Sequence, residues 1–152
     1  MKKRWGERLV FRIAMPLIFV LVVITASDRP SLAAEQSYYP NINCDIQKQA
    51  CVQSFSGREI RLNITPKPVK TMTDLVFYVK ITGKTLNHPP VIDLGMPGMT
   101  MGPNRIRLEP AGRNTFAGKG VIVRCPSGRT IWRATVTVPE EGRVDFIFNV
   151  IP

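Results

Sequence analysis

Apolar residues alternate with polar ones in four clear segments of the chain. Successive side chains of a β-strand point to opposite faces, so this period of two predicts strands with one buried face. The predicted buried faces are Ile60, Leu62 and Ile64; Leu75, Phe77, Val79 and Ile81; Trp132, Ala134, Val136 and Val138; and Val144, Phe146, Phe148 and Val150. We expect the core to be built from Leu62, Phe77, Val79, Trp132, Val136, Phe146 and Phe148.

Three further segments alternate less clearly, at residues 91–94, 105–108 and 116–123. Groups of turn-forming Pro, Gly and Asn residues separate the segments, and nothing after residue 34 keeps a helical period. About seven short strands with turn signals every eight to twelve residues or so predict an all-β fold. We expect an immunoglobulin-like β-sandwich over residues 57–152.

Two local expectations concern the borders of this domain. The short turn Pro126-Ser127-Gly128 predicts a hairpin between residues 121–124 and 131–138, with Cys125 at its tip. Residues 35–50 show no clear period, so we expect an irregular lead-in over residues 35–56 that a Cys44–Cys51 disulfide would hold closed.

Residues 1–34 have the composition of a secretory signal peptide. Five basic residues and one acidic residue lie within residues 1–12, an apolar run extends from Ile13 to Ile24, and the stretch Ser31-Leu32-Ala33-Ala34 is rich in small residues. The alternative is an uncleaved anchor, but spanning a bilayer takes about 20 apolar residues and this run is shorter. We expect export to the periplasm or to the outer face of the cytoplasmic membrane.

Cleavage changes the charge of the protein. The full chain has 21 basic and 11 acidic residues; residues 1–34 hold six and two of them, which leaves 15 and 9, or +6. The remaining 118 residues suffice for one domain. Their basic residues are scattered, whereas nucleic-acid binding needs a clustered basic face with interleaved aromatic residues. We therefore expect no nucleic-acid partner.

The chain has three cysteines, Cys44, Cys51 and Cys125. Outside the cytoplasm two of them can pair as a stable disulfide. Sequence alone permits three pairings, and the local one, Cys44–Cys51, is the one that we expect. Cys125 would then be a free reactive thiol, a metal ligand or an intermolecular partner.

Three methionines, Met96, Met99 and Met101, lie within six residues of a loop rich in Gly and Pro. A thioether is neutral and soft, which suits Cu(I), and it needs no deprotonation to bind. We expect these three side chains to bind Cu(I). The alternatives are an apolar plug at the open end of the sandwich and an adaptable surface that contacts a protein partner.

Two other side chains could supplement this metal site. His88 precedes the methionine loop by eight residues, although a histidine before a Pro-Pro pair is also typical of a solvated turn. Cys125 would supply a thiolate if its turn meets the loop, and otherwise would be buried or disulfide-bonded. With a single histidine, dispersed carboxylates and no phosphate-binding loop, we do not expect an enzyme.

Residues 57–150 resemble the small exported YtkA-like/FixH-like domains. The motifs that carry the resemblance are Pro66–Val69, Leu75–Ile81, the Met-Pro-Gly-Met-x-Met-Gly loop within Asp93–Gly102, Phe116–Gly120 and Cys125–Trp132. The resemblance implies an immunoglobulin-like sandwich outside the cytoplasm, with Met96, Met99 and Met101 as its functional loop. It also implies copper handling or maturation of heme-copper oxidases, although the three cysteines are not part of the FixH-like pattern.

Two functions are therefore expected from the sequence. The first is an extracytoplasmic copper carrier or chaperone. The alternative is a non-metal interaction module of the cell envelope that contacts a membrane or periplasmic protein, for example during assembly of a membrane oxidase.

The first prediction concerns processing of the chain. The purified native protein should begin at Ala34 or Glu35, because the small residues before these positions fit a signal-peptidase site. Intact-mass spectrometry measures the N-terminus directly. A native protein that retains residues 1–12 would show an anchor instead.

Overall fold

The computed structural model describes residues 41–152, which form nine β-strands and no helix. The strands in chain order are β1 (Cys51–Phe55), β2 (Arg58–Thr65), β3 (Leu75–Ile81), β4 (Val91–Gly95), β5 (Arg105–Arg107), β6 (Glu109–Gly112), β7 (Thr115–Gly120), β8 (Ile131–Val138) and β9 (Gly142–Asn149). In this described part there is no helix capable of spanning a bilayer. The predicted signal peptide, its cleavage site and the first residues of the lead-in lie outside the described residues.

The strands form two antiparallel sheets. Sheet 1 has the order β1-β2-β3-β7-β6, and sheet 2 has the order β5-β4-β8-β9. Buried side chains from both sheets join in one apolar cluster, as expected where two sheets pack face to face. The predicted all-β sandwich is therefore confirmed.

The core follows the predicted alternation. Its central side chains are fully buried: Leu62, Phe77, Val79, Trp132, Val136, Phe146 and Phe148. The residues between them on each strand point outward, so that Arg61 of β2 lies opposite Lys80 of β3 on the outer face of sheet 1. Strands β2, β3, β8 and β9 correspond to the four clear segments, and β4, β5 and β7 to the three weaker ones.

Strands β1 and β6 were not predicted, so the expected number of about seven strands was too low. β1 falls in the segment expected to be irregular, and β6 falls among the turn-forming residues between the predicted segments 105–108 and 116–123. Both are edge strands, which pair on one side only and need no continuous apolar face. Pro110 is tolerated in β6 because an edge strand can lack one N–H donor, and the pairing with β7 shifts register next to it.

The predicted hairpin between residues 121–124 and 131–138 is wrong. β7 pairs with β3 and β6, whereas β8 pairs with β4 and β9, so residues 121–130 cross from one sheet to the other. A tight turn does form, because the Gly128 N–H donates to the Cys125 carbonyl oxygen at 3.0 Å. Residues 121–124 nevertheless belong to no strand, so the turn does not connect two paired strands.

Antiparallel pairing sorts the connecting loops to two ends of the sandwich. One end, called here the methionine end, carries residues 66–74, 96–104, 121–130 and 150–152. Backbone hydrogen bonds of 2.8 Å join these loops, from Thr71 N–H to Ile151 and from Met72 N–H to Ile122. The opposite end carries the β1–β2, β3–β4, β6–β7 and β8–β9 connections.

The second prediction tests the close approach of β7 to β5. A Cβ atom on Gly118 would lie 2.4 Å from the Arg107 carbonyl oxygen and 2.9 Å from side-chain carbons of Ile106 and Leu108. Gly118→Ala should therefore lower the free energy of unfolding by about 1–3 kcal/mol, because the backbone must shift. Urea denaturation measures the change.

Gly102→Ala is the matched control, because nothing lies within 4 Å of a Cβ built at Gly102. Its effect should stay within about 0.5 kcal/mol. Equal effects of the two substitutions would show that the sheets do not approach each other as closely as described.

Candidate functional site

The Cys44–Cys51 disulfide is present, which confirms the predicted pairing. The eight-residue loop that it closes is fixed to the sandwich by several contacts. Ile46 is fully buried, and the Gln47 side-chain amide donates to the carbonyl oxygens of Val69 and Asn149 at 3.0 Å. Lys67 donates to the Ile46 carbonyl oxygen. Residues 41–50 contain no strand, but these contacts pack them against the methionine end.

Met96, predicted as one of the three Cu(I) ligands, belongs to the core. It is 1% exposed and continues the inward alternation of Ile92 and Leu94 beyond the end of β4. The next residues form a tight turn in which the Met99 N–H donates to the Met96 carbonyl oxygen at 3.2 Å. Gly98 in this turn has φ +68°, as a type II turn with Pro97 before it requires.

Met99 and Met101 line one cleft of about 290 Å³ at the methionine end. Met99 is 38% exposed, whereas Met101 is half-buried against the core. Asp93, Asn104, Arg133 and Thr135 also line the cleft. Of the three methionines predicted to bind an ion, the structure therefore brings two to a shared and accessible opening.

The charged residues of this cleft are of opposite sign. The Asp93 carboxylate accepts a hydrogen bond from Arg105 Nε at 2.9 Å on the exposed surface. Within residues 41–152, Arg133 Nε is buried and has no hydrogen-bond partner. The Arg133 guanidinium therefore lies in the cleft with two neutral thioethers. The Asp93 carboxylate offsets its positive charge only in part, because Asp93 is paired with Arg105.

Cys125 is a free thiol and lines a second cleft of about 290 Å³ with Thr71, Arg124, Arg129 and Thr130. It is 6% exposed, and its Sγ lies 3.0 Å from Ser127 Oγ. This hydrogen bond lowers the pKa of the thiol below its ordinary value. Burial of the thiol opposes this shift. The backbone N–H groups of Ser127 and Arg129 and the positive charge of Arg129 reinforce it.

One contact joins the Cys125 turn to the methionine loop. Arg129 Nη2 donates to the Pro97 carbonyl oxygen at 2.8 Å, within the turn that follows Met96. Cys125 and the thioethers of Met99 and Met101 line separate clefts. The Cys125 turn thus meets the methionine loop through Arg129, and the buried Cys125 thiol is not brought into the cleft of the two methionines.

His88 lies at the opposite end of the sandwich, so it does not supplement the methionine site. It is exposed beside the Arg58–Glu141 ion pair, whose Nη2 and Oε1 atoms are 2.6 Å apart. β4 lies between His88 and Met96 in the chain. The five residues of this strand span about 17 Å, so they hold the two side chains at opposite ends. Within residues 41–152 no group of three or more His, Cys, Asp or Glu side chains is placed to hold a metal.

Met72 is the residue at this end that sequence reasoning missed. It lies 24 residues before Met96, and nothing in its local sequence indicates a site. The structure places it at the methionine end with 63% of its surface exposed and φ +56°. Only the topology, which brings the β2–β3 and β7–β8 loops together, could have revealed it.

Comparison of the chain with family models, with curated protein sequences and with solved structures gives no match.

The third prediction concerns the thiol of Cys125. Ser127→Ala removes the hydrogen bond to the sulfur, so the pKa of Cys125 should rise. The midpoint pH of Cys125 alkylation by iodoacetamide, followed by intact mass, should move upward. The exposed Ser54→Ala variant is the matched control and should leave the midpoint in place. An unchanged midpoint in Ser127→Ala would contradict the assignment of this hydrogen bond.

Proposed function

We propose that this protein is an extracytoplasmic Cu(I)-binding carrier or chaperone in which Met99 and Met101 hold the ion. The observation that supports this proposal is that the two thioethers line one open cleft. Methionine normally fills gaps in apolar cores, so a loop that places two thioethers at an opening calls for another explanation. Soft neutral sulfur ligands of this kind favour Cu(I).

Met96 has a positioning role in this proposal. Its side chain is buried, and its carbonyl oxygen accepts the hydrogen bond that closes the Pro97-Gly98 turn. The anchored turn fixes the direction in which the chain leaves β4 and enters the segment containing Met99 and Met101. Met96 therefore sets the loop conformation and does not contact the ion.

The charge of the cleft favours a monovalent ion. Coulomb repulsion grows with the charge of the ligand, so Arg133 opposes a divalent cation twice as strongly as Cu(I). The Asp93 carboxylate is paired with Arg105, so its negative charge offsets the repulsion between Arg133 and the ion only in part. Two thioethers beside a guanidinium make a site of moderate affinity, which suits a carrier that must release its ion.

The predicted export of the chain and its family resemblance also support this function. The signal-like composition of residues 1–34 supports a location in the periplasm or at the outer face of the cytoplasmic membrane. The resemblance to YtkA-like/FixH-like domains supports an immunoglobulin-like version of the sandwich and a role in copper handling. In this role the protein carries out no catalysis.

A second candidate function is a non-metal interaction module that uses the same loop. Met99 is 38% exposed in a segment rich in Gly and Pro, and flexible thioethers adapt well to a partner surface. A partner protein in the membrane or periplasm, such as an oxidase under assembly, would then occupy the cleft. Copper titration separates the two functions.

The fourth prediction is that Met99→Leu and Met101→Leu each weaken Cu(I) binding by more than about tenfold, since even the loss of a supporting contact typically weakens a metal site 10- to 100-fold. Leu and Met have similar volumes, so the fold should persist. The measurement is a competition titration against a chromophoric Cu(I) chelator, with ascorbate as the reductant because it keeps copper as Cu(I) and leaves the Cys44–Cys51 disulfide intact.

Two variants make this titration specific. Met96→Leu should bind copper as tightly as the parent, because Met96 is buried in the core. Cys125→Ser removes the free thiol, so copper that remains bound belongs to the thioethers. A parent that holds no Cu(I), or a Met99/Met101 double variant that holds it equally well, would exclude the site and favour the interaction module.

A further inference from the structure

Three exposed apolar side chains cluster beside the methionine loop. Met72, Val123 and Ile151, called here the apolar tip, are 63%, 39% and 41% exposed. The hydrogen bonds of Thr71 N–H to Ile151 and of Met72 N–H to Ile122 place the three chain segments side by side. These hydrogen bonds bring the three loops that carry the tip residues together at the methionine end.

The backbone at Met72 is held in an uncommon conformation. Its φ of +56° lies in the left-handed region, which is unfavourable for a residue with a side chain. The 2.8 Å hydrogen bond to the Ile122 carbonyl oxygen fixes this conformation. The result is a large apolar side chain that is 63% exposed within residues 41–152, which points to a contact beyond this part of the chain.

Basic side chains lie near the apolar tip along the chain. Lys70, Arg124 and Arg129 are exposed next to it, and none of them forms an ion pair within residues 41–152. The acidic side chain nearest in sequence is Asp74, which is exposed two residues after Met72. Exposed apolar residues accompanied by basic residues without ion pairs are complementary to a surface with anionic groups outside and an apolar layer beneath.

We infer that the apolar tip docks on the surface of an anionic lipid bilayer. Met72, Val123 and Ile151 enter the boundary between headgroups and acyl chains, and the three basic side chains contact lipid phosphates. A second copy of the chain fits poorly, because the two sets of basic residues would repel each other. The tip consists of loop ends and not of a flat sheet face, which suits insertion into lipid better than a broad protein interface. This inference is independent of copper binding.

The test uses the full chain and reads individual residues, since the apolar run Ile13–Ile24 would itself bring an unprocessed chain to lipid. Met72 oxidation by hydrogen peroxide is followed by mass spectrometry, with and without vesicles of phosphatidylcholine and phosphatidylglycerol. We expect Met72 to oxidise several-fold more slowly with these vesicles. High salt should reduce the protection, because it screens the basic residues.

Matched variants separate docking at the tip from general association with lipid. Tyr78→Met places a methionine on the outer face of sheet 1, at a position 38% exposed, and it should not be protected. Val123→Ser should reduce protection of Met72, whereas Val52→Ser, at a valine of similar exposure on β1, should not. Arg124→Glu should reduce protection, and Arg61→Glu on the outer face of sheet 1 should not.

Four outcomes would overturn the inference. They are no protection of Met72 by anionic vesicles, equal protection by vesicles of phosphatidylcholine alone, equal protection of a methionine at position 78, and concentration-dependent protection of Met72 without lipid. The last outcome would assign the tip to an interface between two copies of the chain. Capture of a protein partner that protects Met72 when anionic vesicles do not would assign it to that partner.

Discussion

The structure depends on burying alternate residues of two sheets against each other. Side chains in a strand alternate with a period of two, so a slip of one residue would turn each buried set outward. Trp132, Phe146 and Phe148 are fully buried in sheet 2 and face Leu62 and Phe77 of sheet 1 across the core. This constraint fixes the register of each central strand and also the direction in which the chain leaves it.

The position of the methionine loop follows from this register. Ile92, Leu94 and Met96 are successive inward positions, so Met96 anchors the chain where β4 ends. The Pro97-Gly98 turn then reverses the chain and leads it into the cleft that Met99 and Met101 line. The strand that buries Met96 also separates the loop from His88, because a strand directs its two flanking loops to opposite ends of the sandwich.

The central strands could be predicted from the sequence because burial on one face leaves a strong alternation. The Cys44–Cys51 disulfide could be predicted because its two cysteines are close along the chain. β1 and β6 could not be predicted, because edge strands carry little of the apolar–polar alternation. The predicted hairpin over residues 121–138 was wrong because a turn sequence does not reveal which strands pair. Met96 shows how composition can mislead: Gly and Pro around it indicated a loop, while the alternation from Ile92 placed it in the core. Met72 became significant only through contacts between loops far apart in sequence.

The methionine loop and the Cys125 turn share a single guanidinium group. The Arg129 side chain donates to the Pro97 carbonyl oxygen at 2.8 Å. The positive charge of Arg129 and its backbone N–H also help to lower the pKa of the Cys125 thiol. The hydrogen bond restrains the turn that precedes Met99, while the charge favours the thiolate form of a sulfur that lines a different cleft. One side chain therefore contacts the methionine loop and also acts on the Cys125 thiol. The two clefts are separate in space, but they are connected through Arg129.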